Sequence, residues 1–327
     1  MTKVLITGIT GLIGKDLMHK LLETGDYQIR GQYFSNRNTD AYTSRGIEMR
    51  QADICDAGAL KGICDGCEIV VHSAARVIDH GTKEDFYLAH YDATRFMLEE
   101  AKASSVRHFI YISSFGPATY IDRSNGLPDE TVPLVKSGVH YDDAKIDAEN
   151  LVKSFCPSNN MYYTIIRPAA VIGPDSIWVR EPIKRAKTKF GLKLIDNGVK
   201  DACLVDVRNL SEGIYKTMTL PVARNQTYFF MDEYGVTWKQ YMTELLAMVG
   251  EKPKGSVSRP VALLLAKVMG VLFPLWGAQP PIGVKSVIAT SSDRRVIVRK
   301  ARTELGWQSR VSYREAMEKI RRSLEHS

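Results

Sequence analysis

The feature that most constrains this chain is a glycine-rich run, TGITGLIG, at residues 7–14. It follows KVLIT at residues 3–7, a short apolar run that predicts a buried strand. Apolar residues then recur at helical spacing until Gly25, where a helix would end. Glycines at a strand-to-helix turn let backbone N–H groups approach a pyrophosphate, which the helix N-terminus favours electrostatically. The run therefore predicts a dinucleotide-binding turn, although a G-x-x-G-x-x-G spacing taken alone also fits a simple tight turn.

A second motif, YDDAK at residues 141–145, places Tyr141 and Lys145 four residues apart, on one side of a helix. A free phenol has a pKa of about 10, and a nearby ammonium is expected to lower it. Ser114 closes the apolar run FIYISS, and ligands of open α/β sheets bind at the carboxyl ends of strands. The three side chains therefore predict a centre that moves a proton to or from a substrate oxygen.

Apolar runs alternate with helical stretches through the first half of the chain. The runs lie near residues 4–7, 28–33, 47–50, 68–72, 109–113 and 163–167. This alternation predicts an α/β fold with a doubly wound parallel sheet. Residues 120–138 are rich in Pro, Gly and Asp and predict an irregular loop. We expect a Rossmann domain at 1–173 and a smaller, mostly helical substrate lobe at 174–327, with some segments of the lobe returning to the sheet.

In their order along the whole chain, these motifs resemble those of the extended short-chain dehydrogenases/reductases, within the NAD-dependent epimerase/dehydratase superfamily. The closest resemblance is to the branch of 3β-hydroxysteroid dehydrogenases and dihydroflavonol reductases. It implies that Tyr141 is the acid/base and that Ser114 steadies the reacting oxygen. It also implies that Lys145 binds the nicotinamide ribose and lowers the pKa of the tyrosine.

The resemblance further implies which residues line the cofactor. Three segments match the family beyond the glycine run: ADI at residues 52–54, VHSAA at 71–75 and RPAAVIGP at 167–174. The implied cofactor-binding residues are Gly8, Thr10, Gly11, Leu12, Ile13, Gly14, Tyr33, Arg37, Asp53, Ile54, Ser73, Ala74, Ala75, Tyr141, Lys145, Pro168 and Val171.

The choice between NAD and NADP depends on the end of the second apolar run. NAD-preferring enzymes place a carboxylate there, which accepts a hydrogen bond from the ribose 2′-OH. This chain has none and instead offers Arg37, whose guanidinium suits a 2′-phosphate. NADP is therefore weakly favoured, and the alternative is that Arg37 is a solvated loop residue.

Two departures from the family bear on the substrate. Dehydratases carry an Asp-Glu pair after the catalytic hydroxyl, whereas Ser114 is followed by Phe115. Epimerases read R-Y-x-N where this chain has Pro168 and Ala170, and alanine cannot donate a hydrogen bond to a diphosphate. These residues favour a reductase or dehydrogenase acting on a fairly apolar ketone or alcohol. A nucleotide-sugar epimerase that retains its cofactor is the alternative, and a non-catalytic binding protein is a third hypothesis.

A third departure is His90, which stands where the family usually has Asn. The side chain is placed either to relay a proton or simply to pack, and packing is favoured.

The strongly apolar stretch at residues 261–276 leaves three interpretations open. Lys267 and Pro274 interrupt it, and it is too short to span a membrane. It is a packed core helix, a lid over an apolar substrate pocket, or a helix on a membrane surface.

Composition excludes some classes of function. The net charge is +7, but no basic cluster is interleaved with aromatics, so nucleic acid is not expected. Cys64 and Cys67 form a lone pair without a nearby His, which is a poor metal site and suggests buried thiols in a reducing compartment. No metal is expected.

The chain enters its first strand at once, so no signal peptide and a cytoplasmic location are expected. The expected partner is a hydrophobic small molecule; membrane-surface contact is not favoured, and a homodimer is left open.

Overall fold

The structure is a computed structural model, which describes residues 1–35, 38–76, 81–120, 124, 126–275, 280 and 282–325. Within these residues the strands are β1 (Thr2–Thr7), β2 (Tyr27–Tyr33), β3 (Glu48–Gln51), β4 (Ile69–His72), β5 (His108–Ile112), β6 (Tyr162–Pro168), β7 (Ala170–Ile172), β8 (Leu194–Ile195), β9 (Leu204–Asp206), β10 (Gln226–Phe230) and β11 (Ser256–Val257). The α-helices are α1 (Leu12–Thr24), α2 (Asp40–Thr43), α3 (Lys83–Tyr87), α4 (Ala93–Ala103), α5 (His140–Ser158), α6 (Ile177–Ala186), α7 (Val207–Thr219), α8 (Trp238–Ala247), α9 (Arg259–Leu275), α10 (Val284–Ser291), α11 (Arg299–Leu305) and α12 (Tyr313–Glu325).

Seven strands form one sheet in the order β10-β6-β5-β4-β1-β2-β3, with every neighbouring pair parallel. Strands β2 and β3 follow β1 on one side of the sheet, and β4, β5 and β6 follow it on the other side. The predicted doubly wound α/β fold is confirmed, and six of its strands are the predicted apolar runs. The reversal of strand order between β1 and β4 leaves a crevice at their carboxyl ends, which is where ligands of such sheets bind.

The first strand-helix unit follows the predicted pattern closely. The inner residues of β1 are fully buried, as expected for a parallel strand covered on both faces. Helix α1 starts after Gly11 and ends at Gly25, which has a left-handed φ of 71° and donates its N–H to the carbonyl of Leu21. The helix therefore stops where the glycine allows the chain to turn.

The second half of the chain is mostly helical and builds a core of its own. This core includes Val179 from α6, Trp238 and Tyr241 from α8, and Ile320 from α12. The seventh strand of the main sheet, β10, also comes from this half and pairs with β6. The boundary between 173 and 174 stays a prediction.

A buried ion pair fixes α5 against the sheet. Arg167 of β6 donates to both oxygens of Glu149 on α5, and the Ser113 hydroxyl donates to the same carboxylate. Arg167 and Glu149 are at most 1% exposed. Because the two charges are buried and hydrogen-bonded to each other, loss of either partner would leave an uncompensated buried charge. This pair holds in place the helix that begins next to Tyr141.

No helix in the part of the chain that the structure describes combines the length and apolar character needed to cross a bilayer. The described residues also contain no group of three or more His, Cys, Asp or Glu side chains that would hold a metal ion. Cys64 and Cys67 are free thiols buried in the core, as expected.

Candidate active site

A cleft of about 680 Å³ opens at the carboxyl ends of β1, β4 and β5. It brings together every predicted site residue that the structure describes. These are Gly8, Thr10, Gly11, Leu12, Ile13, Gly14, Tyr33, Asp53, Ile54, Ser73, Ala74, Ala75, Ser114, Tyr141, Lys145, Pro168 and Val171. Arg37 lies outside the described residues. We call residues 8–14 and 73–75 the glycine end of the cleft, and Ser114, Tyr141, Lys145, Lys285 and Arg294 its tyrosine end.

The glycine end is shaped by backbone that tolerates no side chain. Gly8 has a φ of 65°, and a Cβ on it would lie 2.9 Å from the Cα of Ala74. A Cβ on Gly14 would lie 2.4 Å from the carbonyl oxygen of Gly8. The turn is therefore closed enough to bring backbone N–H groups and the start of α1 to one point, as a pyrophosphate requires. The residues present fit a dinucleotide.

Thr7 ties this turn to the segment at 73–75. Its Oγ1 accepts hydrogen bonds of 3.1 Å from the N–H groups of Ser73 and Ala74, and lies 2.9 Å from Nδ1 of His72. Since the hydroxyl has one proton, we assign that proton to the bond with Nδ1, which makes His72 a neutral acceptor. Burial lowers the pKa of His72 to about 3, in agreement with this assignment. The sequence analysis did not identify this role of Thr7.

Gln32 is a second residue that the sequence analysis missed. It is a buried amide within β2, where an apolar residue would be usual. Its Oε1 accepts from the N–H of Gly8 at 2.9 Å, and its Nε2 donates to the carbonyl of Ala52 at 2.6 Å. The amide thus fixes the start of the glycine turn relative to the segment that includes Asp53. A buried Gln in a strand was the signal that could have found it.

At the tyrosine end, α5 and β5 supply the three predicted catalytic side chains. Tyr141 lies in the first turn of α5 and is hydrogen-bonded with Ser114, just beyond β5. Lys145 lies one turn later, and its Nζ donates to the carbonyl of Ile112 at 2.8 Å. The same Nζ lies 4.6 Å from the centroid of the Tyr111 ring. The hydroxyl, phenol and ammonium therefore surround one part of the cleft.

Burial dominates the titration of these groups. Burial, and next the Asp142 carboxylate, raise the pKa of Tyr141 above its ordinary value. The groups that act in the opposite direction are the Ser114 hydroxyl and the Arg294 guanidinium. Lys145 was expected to lower this pKa, but its ammonium is directed at the Ile112 carbonyl instead. Burial also lowers the pKa of Lys145 to about 7, with partial compensation from Glu149.

Two cations from the second half of the chain complete the tyrosine end. The Nζ of Lys285, on α10, lies 3.1 Å from the centroid of the Tyr141 ring. The guanidinium carbon of Arg294 lies 4.5 Å from the Phe115 ring centroid, and Nε donates to Thr119 at 3.1 Å. Both side chains line the cleft. The sequence analysis missed them because a single Lys or Arg far along the chain carries no local pattern.

His90 packs against Tyr141. It lies in a π-helical turn at Leu88–Asp92 and is 2% exposed. Its ring stacks on Phe86 and meets the Tyr141 ring edge-on, with 4.9 Å between the centroids. Burial lowers the pKa of His90 well below its usual value, so the ring is neutral. This environment supports the packing interpretation.

Comparison with known proteins agrees with this geometry. Residues 4–228 match the model of the NAD dependent epimerase/dehydratase family. The chain is 23% identical to a decarboxylating sterol-4-alpha-carboxylate 3-dehydrogenase of Dictyostelium discoideum, over 98% of this chain and 100% of that one. It is 27% identical to a UDP-glucose 4-epimerase of Vibrio cholerae, over 83% and 82% of the two chains.

The fold is shared with solved structures over almost the whole length. A crystal structure of UDP-glucuronic acid 4-epimerase from Bacillus cereus in complex with NAD superposes with a TM-score of 0.73. The two chains are 18% identical, and 99% of each is covered. The family match, the dehydrogenase relative and the cleft agree on an NAD(P)-dependent oxidoreductase of the short-chain dehydrogenase/reductase type. The chain belongs to the NAD dependent epimerase/dehydratase family.

Proposed function

We propose that the protein transfers a hydride between a nicotinamide cofactor and the ketone or secondary alcohol of a fairly apolar small molecule. The observation that carries this proposal is the position of Ser114, Tyr141 and Lys145 in the same cleft as the glycine turn. The cofactor, when bound, supplies or accepts the hydride. The side chains of the protein position the substrate and move the proton.

Tyr141 is the proposed acid/base. Because its pKa is raised, the phenol is protonated at neutral pH and is suited to give its proton to the oxygen of a ketone that is being reduced. The Ser114 hydroxyl, hydrogen-bonded with Tyr141, is placed to steady the same oxygen. Lys145 is proposed to hold the nicotinamide ribose.

For the cofactor we propose NADP over NAD. Tyr33, Phe34 and Ser35 follow one another into the cleft at the end of β2, and none of them is a carboxylate that would accept from a ribose 2′-OH. The proposed contact of Arg37 with the 2′-phosphate is argued from the sequence, because Arg37 lies outside the described residues. The B. cereus relative is described with NAD, so the preference is a property to be measured on this chain.

The proposed substrate combines an apolar body with an acidic group near the reacting carbon. Ile177, Trp178 and Val171 line the cleft with apolar surface. Lys285 and Arg294 bring two positive charges to the tyrosine end of the cleft. The D. discoideum relative is named for a sterol carboxylate, which has both properties.

A second candidate function is nucleotide-sugar epimerisation. The same two cations would also suit a diphosphate, and the V. cholerae relative is named as a UDP-glucose epimerase. Against this function, Ala170 lines the cleft at the position where nucleotide-sugar epimerases place a hydrogen-bonding Asn. Unpaired polar groups of a sugar nucleotide would therefore be costly to bury.

The test is a substrate panel with purified protein. Apolar ketones with and without a neighbouring carboxylate, UDP-glucose and UDP-glucuronic acid are each incubated with NADPH and with NADH, and nicotinamide absorbance is followed. We expect oxidation of NADPH with the acidic apolar ketones and neither binding nor turnover of the UDP-sugars. Epimerisation of a UDP-sugar with a dinucleotide that stays bound would overturn the proposal in favour of the second candidate.

A further inference from the structure

Helix α9 turns six of its large apolar side chains outward. Those that are 40–67% exposed are Val261, Leu264, Leu265, Val268, Val271 and Leu272. They are six of the fifteen exposed large hydrophobic residues in the described part of the chain, and they lie within twelve positions. We call these six side chains the α9 surface. Apolar side chains concentrated in this way on a water-facing helix mark an interaction site.

The opposite side of α9 attaches the helix to the protein through small residues. Ala262 and Ala266 are almost fully buried, and they pack with Ile195 and Val287 in a small separate core. The inner face thus consists of the two alanines and the partly buried Leu263, whereas six other large apolar residues remain outside. Burial of the helix therefore does not explain its apolar composition.

This arrangement decides between the three interpretations of the stretch. A packed core helix is not supported, because six large apolar side chains of α9 are exposed. A lid is not supported, since none of the α9 residues whose side chains are described lines the cleft. The interpretation as a surface helix remains, and the question becomes which partner covers it.

Charge identifies the partner. Residues 184–200 and 251–275 contain ten Lys and Arg against two acidic residues, Asp196 and Glu251. This excess of eight is larger than the net charge of +7 of the whole chain, so the rest of the protein is slightly acidic. We call these ten cations the basic border; nine are exposed and the tenth, Arg185, is half-buried.

Backbone pairing places part of the basic border at the start of α9. Strand β8 pairs with β11, which directly precedes the helix. The N–H of Lys254 donates to the carbonyl of Leu192, and the N–H of Arg259 donates to the Asp196 carboxylate at 2.8 Å. One of the two acidic residues, Asp196, therefore caps the start of α9, and these bonds bring Lys193, Lys254 and Arg259 to that end of the helix.

We propose that the α9 surface docks on an anionic lipid membrane, with its apolar side chains in the interface and the basic border on the lipid phosphates. An amphipathic helix flanked by Lys and Arg is suited to this environment, and anionic lipids attract such residues. A second copy of the chain is disfavoured as the partner, because a two-fold contact would place one basic border against another. This proposal is independent of the proposed catalytic function.

The test is cosedimentation of the full chain with phosphatidylcholine vesicles, with and without phosphatidylserine. We compare V268Q/V271Q on the α9 surface with V135Q/V222Q, a matched pair of exposed valines elsewhere. The unmodified chain should bind the phosphatidylserine vesicles and lose binding as salt rises. V268Q/V271Q should weaken that binding by about tenfold or more, and the matched pair should leave it unchanged.

Three results would overturn the proposal. They are no binding to phosphatidylserine vesicles, equal weakening by both pairs of substitutions, or a dimer that V268Q/V271Q converts to a monomer. Circular dichroism and thermal unfolding of both variants establish that the fold is retained, so a binding loss reports on the surface. Dinucleotide titration provides a further readout and should be the same in all three proteins.

Discussion

The glycine end and the tyrosine end of the cleft are built in different ways. Backbone and small side chains form the glycine end, held by hydrogen bonds such as those that the N–H groups of residues 73 and 74 donate to the Thr7 hydroxyl. Side chains from four separate parts of the chain form the tyrosine end, and all but Ser114 are long. A backbone-built site fixes one kind of ligand, whereas a side-chain-built site can change its substrate by single substitutions. We therefore expect changes at the two ends to have separable effects.

The largest expected effect is at the tyrosine end. Tyr141→Phe removes the proposed proton donor, and kcat should fall by about 10²–10⁴-fold, which is the usual contribution of general acid catalysis. Dinucleotide affinity, set at the glycine end, should hardly change. Steady-state kinetics and a binding titration measure both quantities. Tyr162→Phe, at a half-exposed ring, is the matched control, and near-normal turnover of Tyr141→Phe would remove this residue from the mechanism.

The next effect tests cofactor choice. Arg37→Ala should weaken NADPH binding by about 1.5–3 kcal/mol, the range for a hydrogen bond to a charged group, and leave NADH binding nearly unchanged. Calorimetric titration with both cofactors measures the difference, with Arg310→Ala, an exposed arginine, as the control. Equal losses for both cofactors would show that Arg37 does not contact the 2′-phosphate, and NAD would become the better assignment.

A glycine substitution tests the claim that the glycine end depends on its backbone. Gly14→Ala forces a Cβ to within 2.4 Å of the Gly8 carbonyl oxygen. It should cost about 1–3 kcal/mol of unfolding free energy and weaken dinucleotide binding. Denaturant unfolding is compared with Gly270→Ala, where a Cβ meets open space on a helix and stability should rise slightly. Equal unfolding free energies of the two variants would show that the close approach of Gly14 to the Gly8 carbonyl does not affect stability.

The raised pKa of Tyr141 predicts opposite pH dependences for the two directions of reaction. Reduction needs the phenol, which is fully populated at neutral pH, so the titration of Tyr141 should leave its kcat/KM unchanged there. Oxidation needs the phenolate, whose fraction grows about tenfold for each pH unit below the pKa, so its kcat/KM should rise steadily with pH. Profiles measured in both directions test this. A plateau for oxidation already at neutral pH would mean that the pKa is lowered.

The smallest expected effect concerns Lys285. Its ammonium lies 3.1 Å from the Tyr141 ring centroid, and Lys285→Met keeps the side-chain length without the charge. The kcat/KM should fall by a factor that corresponds to about 0.5–2 kcal/mol of transition-state stabilisation, the range for a cation on an aromatic ring. Dinucleotide affinity should be unchanged. Lys61→Met on an exposed site is the control. Loss of dinucleotide binding in Lys285→Met would contradict the separation of the two ends.

The contrast between the ends also explains how far the sequence could be interpreted. Buried parallel strands are continuous apolar runs, so six strands and the glycine turn were predictable from local pattern. Strand β10 was not, because QTYFF at residues 226–230 lies in the mostly helical half of the chain and joins the sheet only through its pairing with β6. Lys285 and Arg294 reach the cleft only through the tertiary fold. The orientation of α9 was undecidable for the same reason, since burial depends on what packs against each face.

One measurement tests the central claim most directly. The protein is incubated with a substrate ketone and NADPH that carries deuterium at the transferable position of the nicotinamide, and the product is analysed by mass spectrometry. The proposed oxidoreductase should release an alcohol with one deuterium and one oxidised cofactor for each turnover. A product without deuterium, or an isomerised substrate beside a cofactor that is never released, would contradict it.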